Sequence, residues 1–278
     1  MGRIPVYAST GAFVTRSNGR NYRLIPEVLS KLHADGAEFM MYDSWNDEVE
    51  TVREFLKASG VPFPAMHVDK SIGERMAEGT EESLKTAQEK LWRDVRTADR
   101  IGAEKLVLHL WSGPNSDIHF GAMLDGFEKL SSIAREAGRL LTVENVTCRI
   151  TKTLPRLKAL RDRYPDVRFT YDTKMAQLHG ENELLMRPEW DWLFAEKRVS
   201  HLHVNDTSLA MAGSGRMPVL HFGDGEVDFS SLFTYIRSKC FDGTATVEST
   251  SSREDGSVDI QKLNASLDAV RKALNPDG

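Results

Sequence analysis

Short apolar runs recur along this chain, each following a polar, helix-like stretch, and that alternation limits the possible folds more than any other feature. The runs are PVYAS, AEFMMY, VPFPAMH, AEKLVLHLW and RLLTVEN, then those ending at Asp172, Asp206 and Ser249, which makes eight strand candidates. Gly36, Gly60, Gly102 and Gly138 stand immediately before four of the runs, as expected of glycines that end helices in a left-handed conformation. Between runs, Leu84, Ala87, Leu91, Val95, Ala98 and Ile101 recur at steps of three or four, one stripe of an amphipathic helix. Asp47, with Glu50 three residues later, resembles an N-terminal capping box ahead of Val49, Val52, Phe55 and Leu56. Strands alternating with helices in this way predict an α/β protein, a (β/α)8 TIM barrel formed by residues 1–278 as a single domain.

Composition narrows the function classes. The 278 residues carry a net charge of -5 and a mean hydropathy of -0.40, so the chain lacks the basic footprint that phosphate backbones require. Nucleic acid is not an expected partner. Only Cys148 and Cys240 are present, too few for a disulfide framework or a thiolate zinc site. The start, MGRIPVYAST, has no continuous apolar stretch, and no apolar run approaches the ~20 residues of a membrane span. A cytoplasmic setting without membrane attachment is therefore expected. Barrels of this size often self-associate, which makes a homo-oligomer possible, although no interface signature stands out.

Four of the runs, LLTVEN, RFTYDT, HLHVND and TATVES, place an acid or an imidazole near their C-terminal ends: Glu144, Asp172, His203 and Glu248. Side chains at i and i+2 share a strand face. Thr142 with Glu144, Thr170 with Asp172, His201 with His203, and Thr246 with Glu248 therefore oppose apolar neighbours. In a barrel the helix-facing side must be apolar and functional groups gather at the C-terminal ends of strands, so this parity brings the four residues to one mouth. His67 and His109 obey the same parity on the third and fourth runs. Clustered carboxylates repel one another, and a cation removes that cost. Three acids and one imidazole suit a single divalent ion, Mn²⁺, Mg²⁺, Co²⁺ or Zn²⁺, with positions left open for substrate oxygens.

Substrate contacts are expected from His67, His109, Lys174 and Arg216. Trp45 and Trp111, which follow the second and fourth strands, could stack an indole on a ligand or simply pack a loop onto the barrel. Residues 207–228, which contain AMAGSGRMP and HFGDGEVDF, are too glycine-rich for a barrel helix. Residues 111–119 form a second turn-rich connection. His179, His201 and His221 carry no assigned role.

VENV around Glu144, YDTKMAQLHG around Asp172, HLHVND around His203, and GDGEVDF followed by TVEST around Glu248 resemble the xylose isomerase-like superfamily of sugar-phosphate isomerases and epimerases. That superfamily also contains ketose 3-epimerases, inosose dehydratases and apurinic endonucleases. The resemblance implies one divalent metal held by Glu144, Asp172, His203 and Glu248, with the two glutamates serving as acid and base on opposite faces of an enediolate. It implies an isomerase or epimerase acting on a sugar, a sugar phosphate or a polyol-derived ketone. A keto-inositol or keto-sugar dehydratase, a lyase using the same site, is the alternative. The endonuclease-like phosphodiesterase reading is disfavoured by Met175, which stands where many relatives carry the His that a three-metal cluster needs.

Overall fold

A computed structural model describes residues 2–212 and 217–276. Eight parallel strands close into a barrel in chain order: β1 (Val6–Ser9), β2 (Ala37–Met40), β3 (Ala65–His67), β4 (Lys105–Leu108), β5 (Leu140–Glu144), β6 (Arg168–Asp172), β7 (Val199–Val204) and β8 (Thr244–Val247). The helices are α1 (Ile25–Leu29), α2 (Val49–Ser59), α3 (Ser71–Glu78), α4 (Glu81–Ile101), α5 (Phe120–Glu136), α6 (Thr153–Arg163), α7 (Thr173–Leu178), α8 (Asn182–Leu185), α9 (Trp192–Ala195), α10 (Leu209–Ala212), α11 (Phe229–Ser238) and α12 (Ile260–Leu274). Each expected run supplies one strand. The strands are shorter than the runs because burial continues beyond the ladder, as at Leu110, which is fully buried past the end of β4.

The chain divides into two compact units, residues 39–170 and residues 1–38 with 171–278. Within the unit of residues 39–170, β3 to β6 pair in parallel, with His67 opposite Val107, Leu108 opposite Val143, and Glu144 opposite Thr170. The long helix α4 buries Ala87, Leu91, Val95 and Ala98, the centre of the stripe expected from spacing. Its start is fixed by reciprocal bonds: Ser83 N donates to Thr80 Oγ1 at 3.1 Å, and Thr80 N donates to Ser83 Oγ at 3.2 Å. Gly102 ends it at φ +79°, a conformation that favours glycine.

Two local expectations are corrected. A 3-10 turn over Asp43–Glu48 leads into α2, whose cap residue Glu48 makes no side-chain capping bond. Glu50 pairs with Arg53 instead of reaching back to Asp47, so no capping box forms there. Gly36 adopts no left-handed φ, whereas Gly60, Gly102 and Gly138 do. The reason is that α1 ends at Leu29, well before Gly36, whose carbonyl accepts from Ala8 N at 3.2 Å as the chain enters β2.

In the other unit β1 pairs with β2 and β8, and β7 with β8; Ser9 lies opposite Glu38, and His203 opposite Thr246. After β7 the chain is organised around one buried carboxylate. Asp206 Oδ1 accepts from Thr207 N and Val227 N at 2.8 and 3.0 Å, and Oδ2 from Gly223 N and Gly225 N at 3.1 and 2.9 Å. A Cβ on Gly225 would stand 2.3 Å from Thr207 O, so only glycine fits that close approach. The glycine-rich sequence thus serves a compact loop, which also accommodates the short helix α10.

Candidate metal centre

Asp172 ends β6 and caps α7, its Oδ1 accepting from Met175 N at 2.9 Å. Asn205, just past β7, reaches both neighbouring acids: its Nδ2 donates to Asp172 Oδ2 at 3.4 Å and to Glu248 Oε2 at 3.1 Å. His203 Nδ1 faces Glu248 Oε2 at 3.4 Å. Asp172, His203 and Asn205 have no exposed surface. Three of the four expected ligands are therefore brought together, with Asn205 between two of them. Asn205 was missed by the sequence reading, although alternation puts residues 201, 203 and 205 on one face.

On its other side His203 meets Glu38, a fully buried residue of β2. Glu38 Oε2 lies 2.8 Å from His201 Nε2, 3.2 Å from His203 Nε2 and 3.2 Å from Thr246 Oγ1. Burial pushes this carboxyl up, but the imidazoles of His203 and His201 outweigh it and hold the group well below the usual carboxylate range. His201 Nδ1 turns to Thr244 Oγ1 at 2.5 Å. Glu38 also escaped the sequence reading; the available signal was a single charge inside the apolar run AEFMMY.

Glu144 ends β5 in the unit of residues 39–170, where it meets two histidines. Its Oε2 stands 2.8 Å from His109 Nε2 and 3.3 Å from His67 Nε2. His67 Nδ1 donates to Val68 O at 2.7 Å. A carbonyl only accepts, so Nδ1 carries a proton. The His109 contact lacks hydrogen-bond geometry. Burial holds the His109 imidazole down at about 4, against the opposing pull of Glu144.

The chemistry of these donors fits a divalent cation. Imidazole nitrogens and carboxylate oxygens lie close together, and Asn205 Oδ1 is buried with no hydrogen-bond partner among the described residues. Two groups, Glu38–His201–His203 and His67–His109–Glu144, each present ligand atoms within 4.8 Å of one another. Soft thiolates are absent from both, and the described cysteines are free.

The remaining expected contacts fare unevenly. His67 is fully buried, with Nδ1 on Val68 O and Nε2 facing Glu144 Oε2. The Trp111 indole is 0 % exposed and its Nε1 donates to Val146 O at 2.8 Å. Trp45 is likewise buried and stacks on Phe39. His109 is buried, at 5 % exposure. Lys174, in the first turn of α7, is 7 % exposed and pairs with no acid among the described residues. Arg216 lies outside the described residues. His221 Nδ1 meets Ser266 Oγ at 2.8 Å, His179 follows the end of α7, and His201 belongs to the Glu38 network.

A family model described as xylose isomerase-like TIM barrel matches residues 26–273. No curated protein matches the chain. Among solved structures, a D-allulose 3-epimerase from Methylomonas sp., in complex with D-allulose, superposes at a TM-score of 0.72 with 16 % identity over 98 % of each chain. A 3-keto-D-glucoside 4-epimerase from E. coli gives 0.66 and 18 % identity over 97 % of this chain and 100 % of its own. The IOLI protein, solved with a bound zinc atom, gives 0.71 and 13 % identity over 98 % and 99 %. At such identities the likeness establishes the fold alone.

Proposed function

The chain belongs to the xylose isomerase-like TIM-barrel family, and from that premise we propose that it is a divalent-metal-dependent isomerase or epimerase acting on a sugar, a sugar phosphate or a polyol-derived ketone through an enediolate. Glu144, Asp172, His203 and Glu248 hold one metal ion in this reading. They stand at the ends of successive strands with the same parity. The observation that carries the proposal is His203 Nδ1 facing Glu248 Oε2 at 3.4 Å while Nε2 is occupied by Glu38, an arrangement that calls for a cation. Solved structures of similar fold include epimerases for D-allulose and 3-keto-D-glucoside and a zinc-bound protein, which agrees with this substrate class and cofactor.

The metal would supply Lewis acidity toward carbonyl and hydroxyl oxygens of the substrate, lowering the pKa of the adjacent C–H. Glu144 and Glu248 divide the proton work, one carboxylate removing the proton and the other returning one to the opposite face. Return to the opposite face yields an epimer, and return to the neighbouring carbon yields an aldose–ketose pair. Asn205 Nδ2 holds Glu248 Oε2 by a hydrogen bond, which leaves Oε1 for the transfer. His109, whose Nε2 lies 2.8 Å from Glu144 Oε2, is the candidate to meet a substrate hydroxyl; Lys174 is the candidate for an anionic or hydroxyl contact.

A dehydratase would start from the same proton abstraction and then expel a β-hydroxyl, so product mass separates it from the leading reading. The three-metal phosphodiesterase reading is opposed by Met175, whose apolar side chain is buried next to Asp172, and by the net charge of -5. No helix among the described residues is long and apolar enough to cross a membrane, in keeping with a cytoplasmic enzyme. The test is elemental analysis combined with a screen of ketoses, ketose phosphates and inososes for exchange of carbon-bound hydrogen with deuterated solvent. Exchange that depends on one metal per chain is expected; metal-loaded protein inert toward all three classes would sink the proposal.

A further inference from the structure

We propose that Glu38 is a positioning residue that sets the tautomer of His203, keeping a proton on Nε2 so that the Nδ1 lone pair turns toward Glu248. The inference rests on the metal reading above and extends it to a strand outside the ligand set. Glu38 is 0 % exposed, as are His201, His203 and Thr246. Its carboxylate stands within 3.2 Å of both imidazole Nε2 atoms and of the Thr246 hydroxyl. Oxygen Oε1 adds a second approach to His203 Nε2 at 3.2 Å.

An ionised carboxylate only accepts. With Nε2 deprotonated, either histidine would aim a lone pair at a buried oxygen, a repulsion that a low-dielectric core does not screen. Both rings therefore carry the proton on Nε2, and what remains at Nδ1 decides their roles. In His201 that atom meets the Thr244 hydroxyl at 2.5 Å, a group able to donate to it. In His203 it meets Glu248 Oε2 at 3.4 Å, which accepts and does not donate. Only His203 thus offers a lone pair toward carboxylate, and His201 serves as a brace that holds Glu38 in place. Metal-bound histidines commonly give their second N–H to a carboxylate, and loss of that partner weakens metal binding roughly 10- to 100-fold.

Nitrogen-15 labelling of histidine reads the tautomer directly in the metal-free protein. Both rings are expected as Nε2–H in the wild type, and zinc is expected to attach through His203 Nδ1. Glu38→Gln keeps the shape but presents an amide N–H₂ that can donate to His203, so the ring should shift toward Nδ1–H and the zinc Kd should rise roughly 10- to 100-fold. Glu38→Asp restores a carboxylate and should recover part of that loss. A purely structural residue would lower thermal stability without changing the tautomer of the folded protein. Observation of Nδ1–H in the wild type, zinc attached through Nε2, or a Glu38→Gln variant whose zinc affinity stays within about twofold would overturn the inference. If the wild type takes up no zinc, the metal reading fails while the tautomer measurement still judges Glu38. If Glu38→Gln does not fold, the wild-type spectrum remains the test.

Discussion

His109 Nε2 stands 2.8 Å from Glu144 Oε2, and the same oxygen is approached by His67 at 3.3 Å. Burial holds the His109 imidazole down at about 4, so near neutrality it adds no positive charge beside the carboxylate. The role of base proposed for Glu144 leads to the first prediction. Glu144→Gln, with metal content matched to the wild type, should lower kcat by about 10²- to 10⁴-fold and abolish hydrogen exchange from the substrate. Full exchange in that variant would remove Glu144 from the proton path.

Metal removal should act on stability as well as on turnover. A metal that binds the folded chain stabilises it by mass action, so a chelator should lower the unfolding temperature of the metal-loaded protein, and re-addition at about 100 times Kd should restore about 2.7 kcal/mol. Differential scanning calorimetry across a zinc or manganese series measures this. A transition indifferent to metal would show that the donors are satisfied without one.

The loop after β7 depends on Asp206 and Gly225. Asp206→Ala strands the amides of Thr207, Gly223, Gly225 and Val227 and should cost about 3 kcal/mol or more in denaturant unfolding. Gly225→Ala places a methyl against Thr207 O and should cost about 1–3 kcal/mol. Neither residue is proposed to bind metal, so metal affinity in the folded variants should change less than stability does.

Asp94 provides a pH test remote from the ligands. It is fully buried, accepts from Asp69 N at 2.7 Å and pairs with Arg93 at 3.0 Å, and burial pushes its carboxyl up to about 6. The folded state therefore holds this proton more tightly than the unfolded chain, whose Asp titrates near 3.9. Its stabilising contribution is complete below pH ~4 and is lost as pH rises through about 6. Relative to the wild type, Asp94→Asn should gain stability from pH 4 to pH 7 by on the order of 2–3 kcal/mol. Parallel stability curves for the two proteins would show that Asp94 titrates normally.

Trp111→Phe separates packing from recognition. Loss of the bond to Val146 O should cost about 1–2 kcal/mol with KM for the substrate unchanged. A raised KM at unaltered stability would return the indole to the binding site.

The barrel was legible because it is written locally. Strand and helix periodicities are short-range properties of the backbone, and eight apolar runs with capping signals can be recognised without knowing what they touch. The same parity that marked Asp172, His203 and Glu248 as candidates also brings them together in the folded unit that contains all three. Trp111 stayed open between stacking and packing because an aromatic after a strand looks alike whether it faces a ligand or a carbonyl. Asp47 and Glu50 matched a capping pattern, but the competing partner, Arg53, was only one turn away.

Sequence by itself determined the strand–helix rhythm, the polar face of each strand and the acids and imidazoles that face carries. Tertiary structure alone decided which partner each of those groups received: Glu38 for His201 and His203, Asn205 for Asp172 and Glu248, His67 and His109 for Glu144. The reason is physical. Periodicity depends on neighbours a few residues away, whereas a histidine's tautomer and a carboxylate's charge depend on atoms that come within about 3 Å only after closure of the sheet brings distant segments together.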